Sequence, residues 1–395
     1  MLWGQTSESL AWQRKHGVGR DMFDADQIKQ LKQLIADQVE AGRGELDKLV
    51  EQARAIRSEV KVIKPRAATS VALMASDGGN NKVAFNPFYL QVVRVVDSNG
   101  KELCMEVVSP IADIEALSRR QFDEDGNPHT ALGRMMHGLG VERLQDLSPM
   151  MSGKSPSWVQ VFRDLCEWAT LYDLICHRDY ATDTLIVRDG LLRSKIFHGE
   201  LFVKMGELMH EAIERIRRDS RCKVWLVGLA KKTQVLEYYR LAISLSGVFD
   251  NGAACFAKVP SEMLDEVYLW DEYTRGIEDE SKGEKPKFNI GSMYFVRFGP
   301  YSGDPIWTVD VMSRQDKEAQ AIFGYLQADA VAGFPIPLYP NCIQQADSFS
   351  RVADLDMDII EDQLVDAVRD QVGEEKAPVI DALRLASDVA ARRYE

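Results

Sequence analysis

The 395-residue chain reads as an α/β protein: a mixed sheet flanked by helices, with an N-terminal helical segment and insertions. Three observations predict this. Apolar runs rich in β-branched residues follow one another at 69–76, about 87–97 and 102–109. Gly78-Gly-Asn-Asn81 and a turn at Asp97-Ser-Asn-Gly100 connect them, so they read as a three-stranded meander. Beyond residue 157, patterns of helical period alternate with short apolar runs, the mark of a sheet covered by helices. Finally, two of the runs end on the same dipeptide, Asp77-Gly78 and Asp189-Gly190.

Residues 24–60 carry Ile28, Leu31, Leu34, Ile35 and Val39, then Leu46, Leu49, Val50, Ala53 and Ile56, at spacings of three and four. This predicts a helix pair, or one long helix interrupted near Gly42 and Gly44, whose apolar stripe needs the body of the protein or a second copy to cover it. The segment about 121–157 reads as an insertion with one or two short helices. A helix at 157–178 follows, then the strand to Asp189, a helix near 200–219, a strand at 223–229 and a helix near 233–246. Strands at 292–298 and 306–312 and a helix near 315–328 extend the sheet, while the acidic, lysine-rich stretch 271–287 has no apolar period and is expected as an exposed loop. The organisation expected is a helical segment over 1–64, a main domain over 65–355 and an acidic helical segment over 356–395.

Composition narrows the classes of function. Hydrophobic content of 45% and charged content of 28% are ordinary for a globular protein. No run approaches the ~18 apolar residues needed to span a bilayer, and the N-terminus lacks a basic segment followed by an apolar one, so no membrane association and a cytoplasmic location are expected. Six scattered cysteines without a C-x-x-C pair read as core residues of a reduced protein, and six histidines form no H-E-x-x-H pattern. Carboxylates remain as the main candidate ligands. A net charge of −13 argues against nonspecific coating of nucleic acid, although the basic spots at Arg14-Lys15-His16, Lys61 to Arg66 and Lys231-Lys232 leave room for a local basic channel.

A strand that ends in Asp-Gly presents a carboxylate at the sheet edge, and the glycine lets the backbone turn closely around what the Asp holds. One such site alone reads as a turn or a helix N-cap. Two on neighbouring parallel strands would place like charges side by side, and at ~4 Å and an effective dielectric near 20 that repulsion costs about 4 kcal/mol. A divalent cation removes it, and hard oxygen ligands favour magnesium or manganese.

A meander whose first strand ends in Asp, followed by a strand ending in a second Asp, is the arrangement of ribonuclease-H-like nucleases. The order Ala75-Ser-Asp77-Gly-Gly, Leu185-Ile-Val-Arg-Asp189-Gly-Leu-Leu, Val227-Gly-Leu-Ala-Lys231-Lys-Thr233, then Gly333-Phe-Pro-Ile-Pro-Leu338 with Ala346-Asp347 behind it, resembles the NurA nuclease family over roughly residues 65–355. The resemblance implies a DNA nuclease dependent on Mn2+ or Mg2+, a homodimer docked on a hexameric HerA-type ATPase, acting in DNA repair or in antiviral defence. By position Asp77 and Asp189 match the family's metal-binding aspartates. Glu167, on the helix before the second Asp strand, is assigned as the helical acidic ligand, with Asp164 one turn earlier as its competitor, and Asp347 matches the Asp form of the last ligand. Lys231 would neutralise charge developing on the phosphate, against the plainer reading of a solvated lysine. Tyr238 and Tyr239 read as bases' stacking partners or, more commonly, as core.

Gly153-Lys154-Ser155 mimics the end of a nucleotide-binding loop, but position 148 is Ser where Gly is required, so ATP hydrolysis by this chain is not expected. Met135, Met136, Met150 and Met151 read either as a partner-binding surface or as loop packing. The rival functions are a catalytically inactive adaptor of the same fold and an RNA-directed nuclease.

Overall fold

A computed structural model describes residues 25–66, 71–85, 88–152, 157–268, 287–351, 354–376 and 378–380. Two helices, α1 (Ala25–Ala41) and α2 (Arg43–Ala55), lead into a short strand β1 (Lys61–Val62). The meander is β2 (Val71–Phe85), β3 (Phe88–Asp97) and β4 (Glu102–Val108), followed by α3 (Ile114–Arg119), α4 (Ala131–Leu139), α5 (Leu144–Leu147) and the long α6 (Trp158–His177). Then come β5 (Asp183–Asp189), α7 (Leu201–Asp219), β6 (Val224–Ala230), α8 (Gln234–Ser246), β7 (Cys255–Lys258) and α9 (Ser261–Val267). The chain continues through β8 (Gly291–Arg297), β9 (Ile306–Met312), α10 (Ala319–Val331), α11 (Asn341–Ser350) and α12 (Asp354–Val372).

Among the described residues the strands form one nine-stranded mixed sheet in the order β1-β7-β8-β9-β6-β5-β2-β3-β4. Only β2, β5 and β6 run parallel to one another, and every other pairing is antiparallel. The alternation of side chains along each strand feeds two cores. Val93, Val95, Ile186 and Leu226 pack under α4, α6 and α7 on one face. Val71, Ala75, Leu185, Val187 and Val227 pack under α10 and α11 on the other. A third cluster joins α2 and α8 to β7 and β8 through Leu49, Ala53, Val235, Tyr239, Ala257 and Phe295.

The strands and helices expected over the main domain stand within a few residues of their bounds, with one informative departure. Gly78-Gly-Asn-Asn81 is not a connector: β2 runs on through it, pairing Gly78 with Val95 and Asn81 with Val92, as far as Phe85. The glycines belong to a strand interior because both faces are occupied. A Cβ on Gly78 would collide with the Glu167 carboxylate from α6, and one on Gly79 would collide with the backbone oxygen of Ser350 from α11.

The insertion is helical and packed, with Met135, Met136 and Met151 buried in the core and Met150 alone exposed. That overturns the reading of a methionine-rich partner surface. Short β1, β7 and α9, and α11 with its buried Cys342, Ile343 and Ala346, were not anticipated. Most of 271–287 and the Gly153-Lys154-Ser155 motif lie outside the described residues. None of the six cysteines forms a disulfide. No helix among the described residues is long and apolar enough to cross a membrane.

The N-terminal stripe divides in two. Leu49, Ala53 and Ile56 of the α2 region are buried against α8, where Tyr239 is buried and its hydroxyl donates to Glu266 at 2.8 Å. Tyr238 is exposed and donates to Glu45 of α2 at 3.1 Å, and the Tyr239 hydroxyl also reaches Gln52 of α2 at 3.2 Å, so this pair secures α2 to α8. On α1 the stripe has no cover within the described chain: Ile28, Leu31, Leu34, Ile35 and Val39 are all exposed. Leu31→Asp should therefore leave the thermal melting of the isolated protein unchanged, whereas Leu49→Asp, which buries a lone carboxylate, should cost at least about 2 kcal/mol in chemical denaturation.

Candidate metal centre

The pairing of β2 with β5 brings two acidic residues together. Val71 pairs with Asp183 and the parallel register continues to Ser76 and Arg188, so Asp77 and Asp189 stand next to each other one step further on. Both share the sheet face of Ala75 and Val187, the face covered by α10 and α11. Helix α11 supplies the third carboxylate. Its buried Ala346 fixes the helix on the sheet, and Asp347 follows directly toward the strand ends. One carboxylate oxygen from each of Asp77, Asp189 and Asp347 lies within 4.8 Å of the others, and all three residues are half-buried.

Several donors hold this cluster. The backbone N–H of Gly78 donates to Asp77 Oδ1 at 2.9 Å, and the Ser350 hydroxyl donates to Asp77 Oδ2 at 2.7 Å. Lys231, just past the end of β6, places its Nζ 3.4 Å from Asp189 Oδ2 and 3.5 Å from Asp347 Oδ2. Arg351 reaches Asp347 Oδ2 at 3.2 Å from the exposed side. Burial raises the Asp189 carboxyl above its ordinary value; Lys231 opposes this and the Asp77 charge adds to it. Lys231 is thus no solvated lysine but a cation shared by two members of the cluster. It also lies 5.7 Å above the ring of Tyr339, a fully buried residue whose hydroxyl has no hydrogen-bond partner. Burial first, and the neighbouring carboxylates second, push the Tyr339 phenol up.

Glu167 approaches from the opposite side of the sheet. On α6 it rests on Gly78, the even-numbered face of β2, and there its carboxylate meets Arg163 Nε at 3.3 Å and Arg188 Nη2 at 3.4 Å. It is therefore not one of the three converging carboxylates, although it lines the same cavity of about 480 Å³ as Asp77, Asp189 and Asp347. Burial pushes the Glu167 carboxyl up to about 8, against the pull of Arg188 and Arg163. Asp164, its competitor, lines the same cavity but is more exposed and pairs with Arg163 at 3.0 Å.

The sequence reading missed Ser350, Arg351, Arg188 and Tyr339. Ser350 and Arg351 follow Asp347 by three and four residues, so placing Asp347 on a helix would have put all three on one face. For Tyr339 no local pattern exists, since only the fold brings it beside Lys231. Chemically, three hard oxygen donors facing an open cavity suit a magnesium- or manganese-sized cation.

No family model matches the sequence, and no curated protein matches it. Among solved structures the chain is similar to the NurA nuclease from Sulfolobus solfataricus, at 13% identity and a TM-score of 0.42, over 89% of this chain and 99% of that one. It is also similar to NurA bound to dAMP and manganese, at 10% identity and a TM-score of 0.36, over 84% of this chain and 94% of that one. An Argonaute from A. aeolicus aligns at 9% identity and a TM-score of 0.24, over 71% of this chain and 28% of that one.

The elevated Glu167 group has a measurable consequence. Between its ordinary value of 4.5 and about 8 the folded chain keeps a proton that the unfolded chain releases, so its contribution to stability falls as pH rises through that window. In the metal-free protein, denaturant midpoints of wild type should therefore decline relative to Glu167→Gln from pH 5 to pH 8, and parallel curves would refute the assignment.

Proposed function

We propose that this protein is a metal-dependent deoxyribonuclease in which Asp77, Asp189 and Asp347 hold the catalytic Mn2+ or Mg2+. The observation that carries the reading is the convergence of these three carboxylates, from two strands and a helix, on one open cavity. A cation held there would polarise a phosphodiester and lower the pKa of an attacking water, and a pair of ions would also stabilise the leaving oxygen. Glu167, on the rim of the same cavity, is the fourth carboxyl assigned to this site; it faces the cavity from the other side of β2 and would have to leave Arg163 and Arg188 to serve as a ligand. Lys231 is held between Asp189 and Asp347; once a cation takes over that neutralising task, its ammonium is free to face the non-bridging oxygens of the phosphate. The retained carboxylate cluster argues against an inactive adaptor, and nothing in the sequence motifs reads a 2′-hydroxyl as an RNA-directed enzyme would need.

The same reading places the enzyme in an assembly that delivers DNA, in repair or in antiviral defence. A chain of net charge −13 repels a polyanion and needs a guide. A hexameric HerA-type ATPase is the partner that the resemblance to the NurA family implies. The uncovered stripe of α1 offers a surface for a second copy or for that ATPase.

Asp77→Asn and Asp189→Asn should each lower manganese-dependent DNA cleavage by about 10³-fold or more while the fold persists, because each removes a ligand rather than a packing contact. Wild-type rates in both variants would contradict the assignment. DNA affinity at physiological salt should rise at least about tenfold when the ATPase is added to the isolated nuclease, and an unchanged affinity would separate the two proteins.

A further inference from the structure

Asp189 is the last residue of β5, and the segment behind it is held at every step. Gly190 takes a φ of +110°, which turns the chain sideways over the neighbouring strand β6. The crossing falls where β6 is bare: a Cβ on Gly228 would lie 2.4 Å from the Gly190 carbonyl oxygen and 2.9 Å from the Leu192 nitrogen. Gly228 pairs with Asp310 of β9, so the crossing carries Leu192 and Arg193 onto the Asp310 side chain.

There the Asp310 carboxylate accepts three N–H groups. Oδ2 accepts from the Leu192 N–H at 3.0 Å and from Arg193 Nε at 2.8 Å, while Oδ1 accepts from Arg193 Nη2 at 2.8 Å. Both side chains are completely buried. The backbone around the pair is tied down as well. Gly190 N–H donates to the Leu229 carbonyl at 2.8 Å, Ile290 N–H to the Leu192 carbonyl at 3.0 Å and Ser194 N–H to the Phe288 carbonyl at 2.9 Å. Arg188 Nη1 donates to the Leu191 carbonyl at 3.1 Å, with its guanidinium 4.2 Å from the ring centre of Trp168. Each residue from Gly190 to Ser194 is thereby hydrogen-bonded.

A fully buried ion pair adds little to stability, because desolvating both charges offsets their attraction, and apolar side chains of similar volume commonly serve as well. What the Arg193 fork on Asp310 adds is a fixed direction and register. The need for it lies immediately upstream. Asp189 stands with Asp77 and Asp347 in one cluster, and their like charges push it outward. A slack turn would let its carboxylate swing away, and a cation would then have to draw it back at a cost in affinity.

We propose that Asp310 and Arg193 are positioning residues for the metal centre: their buried fork holds the Gly190–Ser194 turn, and through it the Asp189 carboxylate, in place against the repulsion of Asp77 and Asp347. The proposal rests on the metal-dependent reading above and adds to it a support that lies outside the carboxylate cavity, which neither residue lines.

The test compares full-length wild type, the double variant Arg193→Met/Asp310→Asn and Arg193→Lys. The double variant strands no buried charge and keeps an acceptor for the Leu192 N–H, so its denaturant midpoint should stay near that of wild type. Calorimetric titration with Mn2+ alone should nonetheless show binding weakened by about tenfold, and in EDTA the amides of Gly190–Ser194 should exchange with solvent about tenfold faster while those of β6 keep their rates. Arg193→Lys keeps the charge without the fork and should bind Mn2+ about threefold more weakly than wild type. A pair that only stabilises the fold would instead move the denaturant midpoint and leave the Mn2+ affinity of the folded protein alone. Wild-type affinity and exchange in the double variant would overturn the proposal, and should that variant not fold, wild-type affinity in Arg193→Lys would do the same. A wild-type protein that binds no Mn2+ would refute the metal-dependent reading itself, on which the exchange measurement in EDTA does not depend.

Discussion

Repulsion among Asp77, Asp189 and Asp347 is the constraint on which the rest of this structure turns. Unneutralised charges at ~4 Å cost about 4 kcal/mol per pair at an effective dielectric near 20, and no single hydrogen bond offsets that. The fold meets the cost by committing one cation, Lys231, to two of the three carboxylates and two donors, Ser350 and Gly78, to the third. On the function proposed above, a divalent ion would relieve the repulsion that remains.

The architecture around the cluster follows from the need to bring helices close on both faces of one strand. Gly78 and Gly79 make β2 bare where α6 and α11 approach, so Glu167 rests on one face and Ser350 on the other. Without those glycines Asp77 could still end an apolar run, but neither helix could deliver its polar residues to the same edge. The two faces then take different roles: the α11 side gathers carboxylates, while the α6 side gathers arginines, with Arg188 braced on Trp168.

Much of this was legible in the sequence because strands announce themselves by composition and the Asp-Gly pair by position. The meander, the alternation after residue 157 and the proximity of Asp77 to Asp189 all follow from patterns within short windows. Asp347 came only with the family resemblance, and its placement depends on a helix too short and too polar to show a strong period. The role of Gly78 and Gly79 was misread, since a pair of glycines before two asparagines signals a turn when nothing reveals the helices packed above and below. Tyr339 and the arginine partners of Glu167 were invisible for the same reason: their neighbours are far away in the chain. Likewise α1 and α2 share one apolar stripe, yet only the half that meets α8 is buried.

The account's central claim, that the carboxylates form a strained cation site, is tested most directly by thermal melting with and without manganese. Wild type in EDTA should melt below an Asp77→Asn/Asp189→Asn double variant, because the variant lacks the repulsion. Added Mn2+ should raise the wild-type midpoint in a saturable way, by the equivalent of about 2.7 kcal/mol at a hundredfold excess over Kd, and leave the double variant where it was. A wild-type midpoint indifferent to manganese, or an equal rise in both proteins, would contradict it.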